Sequence, residues 1–302
     1  MDLSVKIGDL KLKNPVTLAS GTAGYGEELS GFVDLSCLGA IFTKGISLKP
    51  REGNKGPRII ETPSGVLNSI GLQNVGLDAF LKEKLPFLLD KGATVIPNIA
   101  GHTIEENVEL CGILSETDGI AAVELNVSCP NVKEGGIAFG RDLKIFSNLL
   151  KKVRKVTRST LIVKLSPNVT DLSEFAVAAE HEGADAVSAV NTFLGMKIDI
   201  EKKKPYFAAG SAGLSGPAIR PMAVRAIYEI YKKVSIPIIG LGGIASVEDA
   251  IEFIMAGATA VSIGTMNMVN PEFSAECVNG IEEYLKLKNI KSINEIIGAA
   301  HR

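Results

Sequence analysis

The sequence predicts a (β/α)8 barrel, also called a TIM barrel, and three observations lead there. Short apolar runs recur eight times, separated by stretches with helical periodicity, which is the pattern of parallel strands joined by crossover helices. Each run is nearly continuously apolar, as a strand covered on both faces should be. The chain has 302 residues with no linker or low-complexity tract, and one such barrel usually needs about 250. Residues 1–302 therefore read as a single domain, with an open doubly wound sheet as the second choice.

Taken in order, residues 4–13 set Gly8-Asp9 between two alternating runs and predict an N-terminal β-hairpin that plugs the barrel bottom. Barrel strands are expected at 16–20, 40–44, 94–100, 121–127, 161–165, 186–191, 236–241 and 260–263. Helix starts are marked by Thr103-Ile-Glu-Glu106, which reads as a capping box, and by Ser246-Val-Glu-Asp249, which puts acids in a first turn. The residues just past the strands are polar and Gly-rich, and they predict loop insertions at the C-terminal face, where barrels carry their active sites. The long loop 194–213, with Lys202-Lys-Lys204, gives no interpretable signal.

Composition narrows the function classes. Hydrophobic residues make up 46% and charged residues 22%, so the chain buries a large core. A net charge of -2 leaves no global field to attract nucleic acid or anionic lipid. Residues 1–6 alternate polar and apolar without an apolar core segment, and no run reaches 18 apolar residues, so a soluble, cytoplasmic protein is expected. Cys37, Cys111, Cys129 and Cys277 are far apart, with no C-x-x-C pair and no Cys/His cluster; a reducing compartment and no metal site are expected. With only His102, His181 and His301 available, histidine-based chemistry has few candidates.

Gly240-Leu-Gly-Gly-Ile-Ala245 formally matches a dinucleotide fingerprint, but it lies late in the chain. About 20 residues on, where an acid should grip a ribose, stands Ser262-Ile-Gly-Thr265. Gly242, Gly243, Gly264 and Thr265 instead offer backbone amides and a hydroxyl after strands seven and eight, the usual phosphate site of such barrels. Asn98, Asn126 and Asn191 stand at strand ends, and Asn68 and Asn74 flank a Gly-containing loop. An amide pairs with the alternating C=O and N–H edge of a pyrimidine or flavin ring, although each Asn also serves as a turn former. Lys44 and Lys164 sit in or at the end of apolar strands, where a cation needs a partner. An anionic ligand, an electron-rich ring, the strand-four Glu124 or, for Lys164, a Schiff base are the open readings. Cys129, on the loop after strand four, is the one cysteine placed at the mouth; a thiol is a feasible proton acceptor there.

Across Ala19-Ser-Gly-Thr22, Thr43-Lys-Gly45, Asn68-Ser-Ile-Gly-Leu72, Pro97-Asn-Ile-Ala100, Asn126-Val-Ser-Cys-Pro-Asn131, Lys164, Val190-Asn-Thr192, Gly242-Gly243 and Gly264-Thr265, the chain resembles the dihydroorotate dehydrogenases over nearly its whole length. Cys129 is similar to the soluble class 1 enzymes, and Pro130-Asn-Val-Lys-Glu-Gly-Gly-Ile-Ala-Phe-Gly140 most to class 1B. The resemblance implies one FMN per chain, bounded by Ser20, Lys44, Gly45, Asn98, Asn126, Lys164, Val190, Gly216, Gly242, Gly243, Gly264 and Thr265. It implies dihydroorotate bound by Lys44, Asn68, Ser69, Ile70, Gly71, Leu72, Asn126, Asn191 and Thr192, with Cys129 as base and Lys164 beside the reacting rings. For class 1B it further implies an iron–sulfur flavoprotein partner carrying FAD and a 2Fe–2S cluster, NAD as final acceptor, and a homodimer core in a heterotetramer. The rivals are the fumarate-linked class 1A, a dihydropyrimidine dehydrogenase catalytic subunit, a Schiff-base aldolase through Lys164 and a noncatalytic flavin-binding subunit.

Overall fold

The computed structural model describes residues 1–128, 130–131 and 137–302; Cys129 and residues 132–136 lie outside the described residues. Parallel strands ring the centre in chain order: Val16–Leu18, Ala40–Phe42, a divided third strand, Ala122–Asn126, Thr160–Lys164, Ala186–Ala189, Ile238–Leu241 and Ala260–Ile263. The third is split at Pro97, which has no N–H to give to a ladder. Its first half, Val95–Ile96, pairs with strand two, and its second, Asn98–Ile99, with strand four. Strand eight pairs with strand one, so the ring closes as the eight-stranded barrel expected. Every residue of these strands is buried, which explains why their sequences are continuous apolar runs rather than alternating ones.

The predicted runs are longer than the observed ladders, mostly at their C-terminal ends. Ser20, Lys44, Val127, Leu165 and Asn191 all lie past the last ladder residue, where the chain leaves the sheet and turns into the barrel mouth. Outer helices follow strands two to eight: Gly76–Ala79, continued through the π-helical Phe80–Lys84 into Leu85–Asp90, then Ile104–Ser115, Leu143–Val156, Leu172–His181, Arg220–Tyr231, Val247–Ala256 and Phe273–Leu287. Helix Leu143–Val156 shows why they form. Asp142 caps its first amides, and Phe146, Leu149, Leu150 and Val153 make one buried stripe against the barrel. The segment after strand one has only the short 3-10 turns Leu29–Gly31 and Leu35–Cys37; its glycines at 21, 24, 26 and 31 disfavour a full helix.

The hairpin forms as Val5–Ile7 against Leu10–Leu12. A Cβ on Gly8 would come within 2.9 Å of Asp185 Cβ and 3.1 Å of Thr160 Cγ2, at the starts of strands six and five, so its tip lies against the barrel's N-terminal end. Of the two predicted helix starts, Ser246 and Asp249 form a full reciprocal box. Thr103 caps the Glu106 amide, but the Glu106 carboxylate is drawn away: it accepts from the His102 and Leu48 amides and pairs with Arg51 at 3.4 Å. Ser246→Ala is expected to cost about 1 kcal/mol, which lowers the melting temperature of a chain this size by roughly 2 °C. An unchanged thermal unfolding midpoint would show that the cap contributes nothing.

Above the mouth lies a four-stranded antiparallel sheet ordered Phe193–Gly195, Ala212–Ser215, Gly65–Asn68 and Ile59–Thr62. The loop without a sequence signal thus supplies half a sheet, completed by a segment about 130 residues away in sequence, roughly the separation of two distant barrel loops. A separate small cluster of Leu67, Phe207 and Ala212 anchors it. No helix among the described residues is long and apolar enough to cross a membrane.

Candidate active site

A cavity of about 410 Å³ opens at the C-terminal ends of the strands, under the mouth sheet. It is lined by all twelve residues expected around a cofactor, contributed by the ends of all eight barrel strands or the loops that follow them. Of the residues expected around a substrate, Lys44, Asn68, Ile70, Leu72, Asn126, Asn191 and Thr192 also line it, but Ser69 and Gly71 do not. Those two shape the loop instead. Ser69 O and Oγ accept from Asn54 Nδ2 at 3.1 and 3.0 Å, and Gly71 has φ +72° with the Asn54 backbone packed where a Cβ would point. Asn74 is likewise a brace: its Oδ1 accepts from the Ser47 and Gly76 amides and its Nδ2 donates to Leu72 O.

Lys164 ends strand five and is buried at the cavity floor. Its Nζ donates to Ser20 Oγ at 2.8 Å, with Glu124 Oε2 at 3.9 Å. The lysine thus faces the cavity with a carboxylate behind it. Lys44, half-buried, donates to Gln73 Oε1 at 3.2 Å. Burial lowers its pKa, helped by the nearby charge of Arg58. Asn126 Oδ1 accepts the Ser128 amide at 3.0 Å, and Asn191 Nδ2 donates to Ser128 Oγ at 2.9 Å, which ties the ends of strands four and six. Cys129, the expected base, directly follows Ser128 but lies outside the described residues. Of the other thiols, Cys111 and Cys277 are buried and their pKa values pushed up by desolvation, that of Cys277 to about 12. They are core hydrophobes, as expected; Cys37 is half-buried.

At the far end of the cavity, Gly242 and Gly243 leave strand seven, Gly264 and Thr265 leave strand eight, and Gly216 closes the group. Gly243 takes φ +89°, and a Cβ there would meet Gly216 O at 2.7 Å and Arg220 N at 2.9 Å, so two loops approach each other through bare backbone. Thr265 Oγ1 donates to Ser215 Oγ at 2.8 Å. The Rossmann context of the Gly-rich run is absent, since the segment sits in a parallel barrel with Ser262 on the next strand. No group of three or more His, Cys, Asp or Glu residues among the described residues is arranged to hold a metal ion.

Gln73, Ser128, Ser215 and Ser262 line the cavity without having been singled out from sequence. Ser262 had a readable signal, a hydroxyl inside the apolar run Ala260-Val-Ser-Ile263, the same kind of mismatch that marked Lys164. Its Oγ is buried with no hydrogen-bond partner. An orphaned hydroxyl, a cradle of bare glycine backbone and a buried lysine in one cavity fit a ligand with a phosphate and a flat, hydrogen-bonding ring system, which is the make-up of FMN.

Fold and site together define a barrel protein with a cavity at the strand ends whose lining fits such a cofactor. A family model for dihydroorotate dehydrogenase matches residues 2–285, and this chain belongs to that family. It is 55% identical over 301 residues to the "Dihydroorotate dehydrogenase B (NAD(+)), catalytic subunit" of Desulforamulus reducens, covering 100% of this chain and 99% of the relative. A chain with the same description from Thermoanaerobacter sp. is 55% identical over 299 residues, 99% of each. An Aquifex aeolicus chain provisionally named dihydroorotate dehydrogenase A (fumarate) is 53% identical over 304 residues, 100% of this chain and 99% of its own.

Proposed function

We propose that this chain oxidises dihydroorotate to orotate in pyrimidine biosynthesis, as the catalytic subunit of an NAD-linked, class 1B enzyme. The observation that carries it is the convergence of all twelve expected cofactor residues and seven of the expected substrate residues on one cavity. Membership of the family implies FMN, which when bound accepts a hydride from C6 of the substrate. Cys129 takes the C5 proton as a thiolate, so that the electron pair of that C–H bond becomes the C5=C6 double bond. Lys44 faces the substrate carboxylate, and Asn68, Asn126, Asn191 and Thr192 orient the ring through its alternating C=O and N–H groups. Lys164 would stand beside the accepting ring, where negative charge gathers as the hydride arrives. The mouth sheet, whose Val66, Asn68 and Ser215 line the cavity, would cover bound rings and limit water.

The visible spectrum of the purified chain and its anaerobic bleaching by dihydroorotate test this reading. Bleaching by dihydrouracil but not dihydroorotate would move the protein to the dihydropyrimidine dehydrogenases. A Schiff-base aldolase through Lys164 finds no support in the family to which the chain belongs.

The electron route is part of the same proposal. Among the described residues no cluster site or nucleotide-binding Rossmann unit offers an exit. An iron–sulfur flavoprotein partner with FAD and a 2Fe–2S cluster supplies one, on a homodimer core. The name "catalytic subunit" carried by the two NAD-type relatives supports a partner, and the exposed apolar side chains Leu194, Met196, Ile198 and Ile200 offer contact surface beside the mouth. Free thiols at Cys37, Cys111 and Cys277 suit a cytoplasmic setting. The isolated chain is expected to turn over with an artificial dye but not with NAD⁺, and the partner to restore NADH formation. Steady NADH production by the chain alone would remove the two-subunit reading, and rapid turnover with fumarate would place it in class 1A.

A further inference from the structure

Glu124 lies in the middle of strand four, 1% exposed, one layer behind the cavity wall. Its carboxylate bridges three strands. Oε2 accepts from Asn98 Nδ2 at 2.5 Å on strand three and stands 3.9 Å from Lys164 Nζ on strand five, while Oε1 accepts from Ser188 Oγ at 2.6 Å on strand six. Glu124 does not line the cavity, but Asn98 and Lys164 do, as does Ser20, which Lys164 also holds.

We infer that Glu124 is a positioning residue which, through Lys164 and Asn98, sets how readily FMN in this cavity is reduced; the inference rests on the flavin reading above. Two effects lead there. The first is charge: a ring that accepts a hydride gains electron density, which the Lys164 ammonium stabilises. A carboxylate behind that ammonium cancels part of its field, so Glu124 opposes reduction and keeps the site from holding its electrons too tightly for onward transfer. The second is orientation. An ionised carboxylate only accepts hydrogen bonds, so it takes the NH₂ end of Asn98 and leaves Oδ1 on the side of Gly45, a cavity residue whose Cβ would lie 3.3 Å from that oxygen. Asn98 is thereby held as an acceptor toward a ring N–H. A glutamine at 124 both donates and accepts, and no longer fixes which end of Asn98 faces the cavity.

The test compares FMN-loaded wild type, Glu124→Gln and Glu124→Asp at pH 6 by equilibrium reduction against reference dyes and by affinity for sulfite, which adds to the flavin ring as an anion. Glu124→Gln is expected to raise the ratio of reduced to oxidised flavin about tenfold at fixed solution potential, about 30 mV for a two-electron couple, and to tighten sulfite binding. Glu124→Asp, which keeps the charge, is expected to fall back toward wild type on both readouts. A buried ion pair that only supports the fold would alter melting temperature and leave both unmoved, so a flavin-loaded Glu124→Gln with unchanged or lowered potential overturns the inference. If Glu124→Gln fails to load, Ser188→Ala decides: removing a donor from the carboxylate strengthens its field and should lower the potential, whereas an unchanged or raised value overturns the inference. A wild-type chain that takes up no FMN overturns the flavin reading itself, and this inference with it.

Discussion

Cys129→Ala is expected to slow reduction of the bound flavin by dihydroorotate about 10²- to 10⁴-fold, the contribution of a positioned general base. The thiol follows Asn126 and Ser128, whose hydrogen bonds to one another and to Asn191 fix the chain's exit from strand four into the mouth. The variant should keep its colour, because every residue proposed around FMN is untouched. Cys129→Ser should retain part of the rate, since a hydroxyl sits in the same place but gives up its proton far less readily than a thiol of ordinary pKa near 8.5. Rates should also fall as pH drops below the thiol's pKa in wild type, because only the thiolate accepts a proton. Stopped-flow reduction of Cys129→Ala at the wild-type rate would remove the cysteine from the mechanism.

The second large effect concerns the phosphate. Gly264→Val is expected to weaken FMN binding at least tenfold and up to about a hundredfold, equivalent to losing one charge-assisted hydrogen bond of about 1.5–3 kcal/mol. A Cβ at Gly264 meets nothing closer than Ala19 Cβ at 3.6 Å, so the side chain enters the cavity without pushing on the barrel. Gly243→Val should also yield colourless protein, but by a different route. Its Cβ runs into Gly216 O and Arg220 N, so it spreads the two loops before it reaches any ligand. Gly264→Val is accordingly the cleaner variant, and unchanged flavin affinity there, measured by titrating apoprotein, would place the phosphate elsewhere.

The barrel was legible because burial on both faces writes a strand as an unbroken apolar run, and a polar residue inside such a run stands out. Lys164 was found that way, and Ser262 was readable by the same sign. What escaped depends on partners distant in sequence. Residues 193–215 pair partly among themselves, but they join the mouth sheet only through the edge that Gly65–Asn68 offers to Ala212–Ser215, and short, half-exposed pairings leave no periodicity behind. Glu106 left its capping box because Arg51 and the Leu48 amide, more than 50 residues away, compete for its carboxylate. Ser69, Gly71 and Asn74 looked like their ligand-facing neighbours because loop braces and ligand contacts use the same residue types. Only the packing of Asn54 and Ser47 against them separates the two roles.

The central claim is that this cavity brings dihydroorotate and FMN together on one chain. Anaerobic mixing of the purified chain with dihydroorotate, followed through the visible flavin absorbance, tests it most directly. Rapid bleaching by dihydroorotate and none by dihydrouracil, without any partner present, is the expected result; a colourless chain, or a bound flavin that dihydroorotate leaves oxidised, would contradict it.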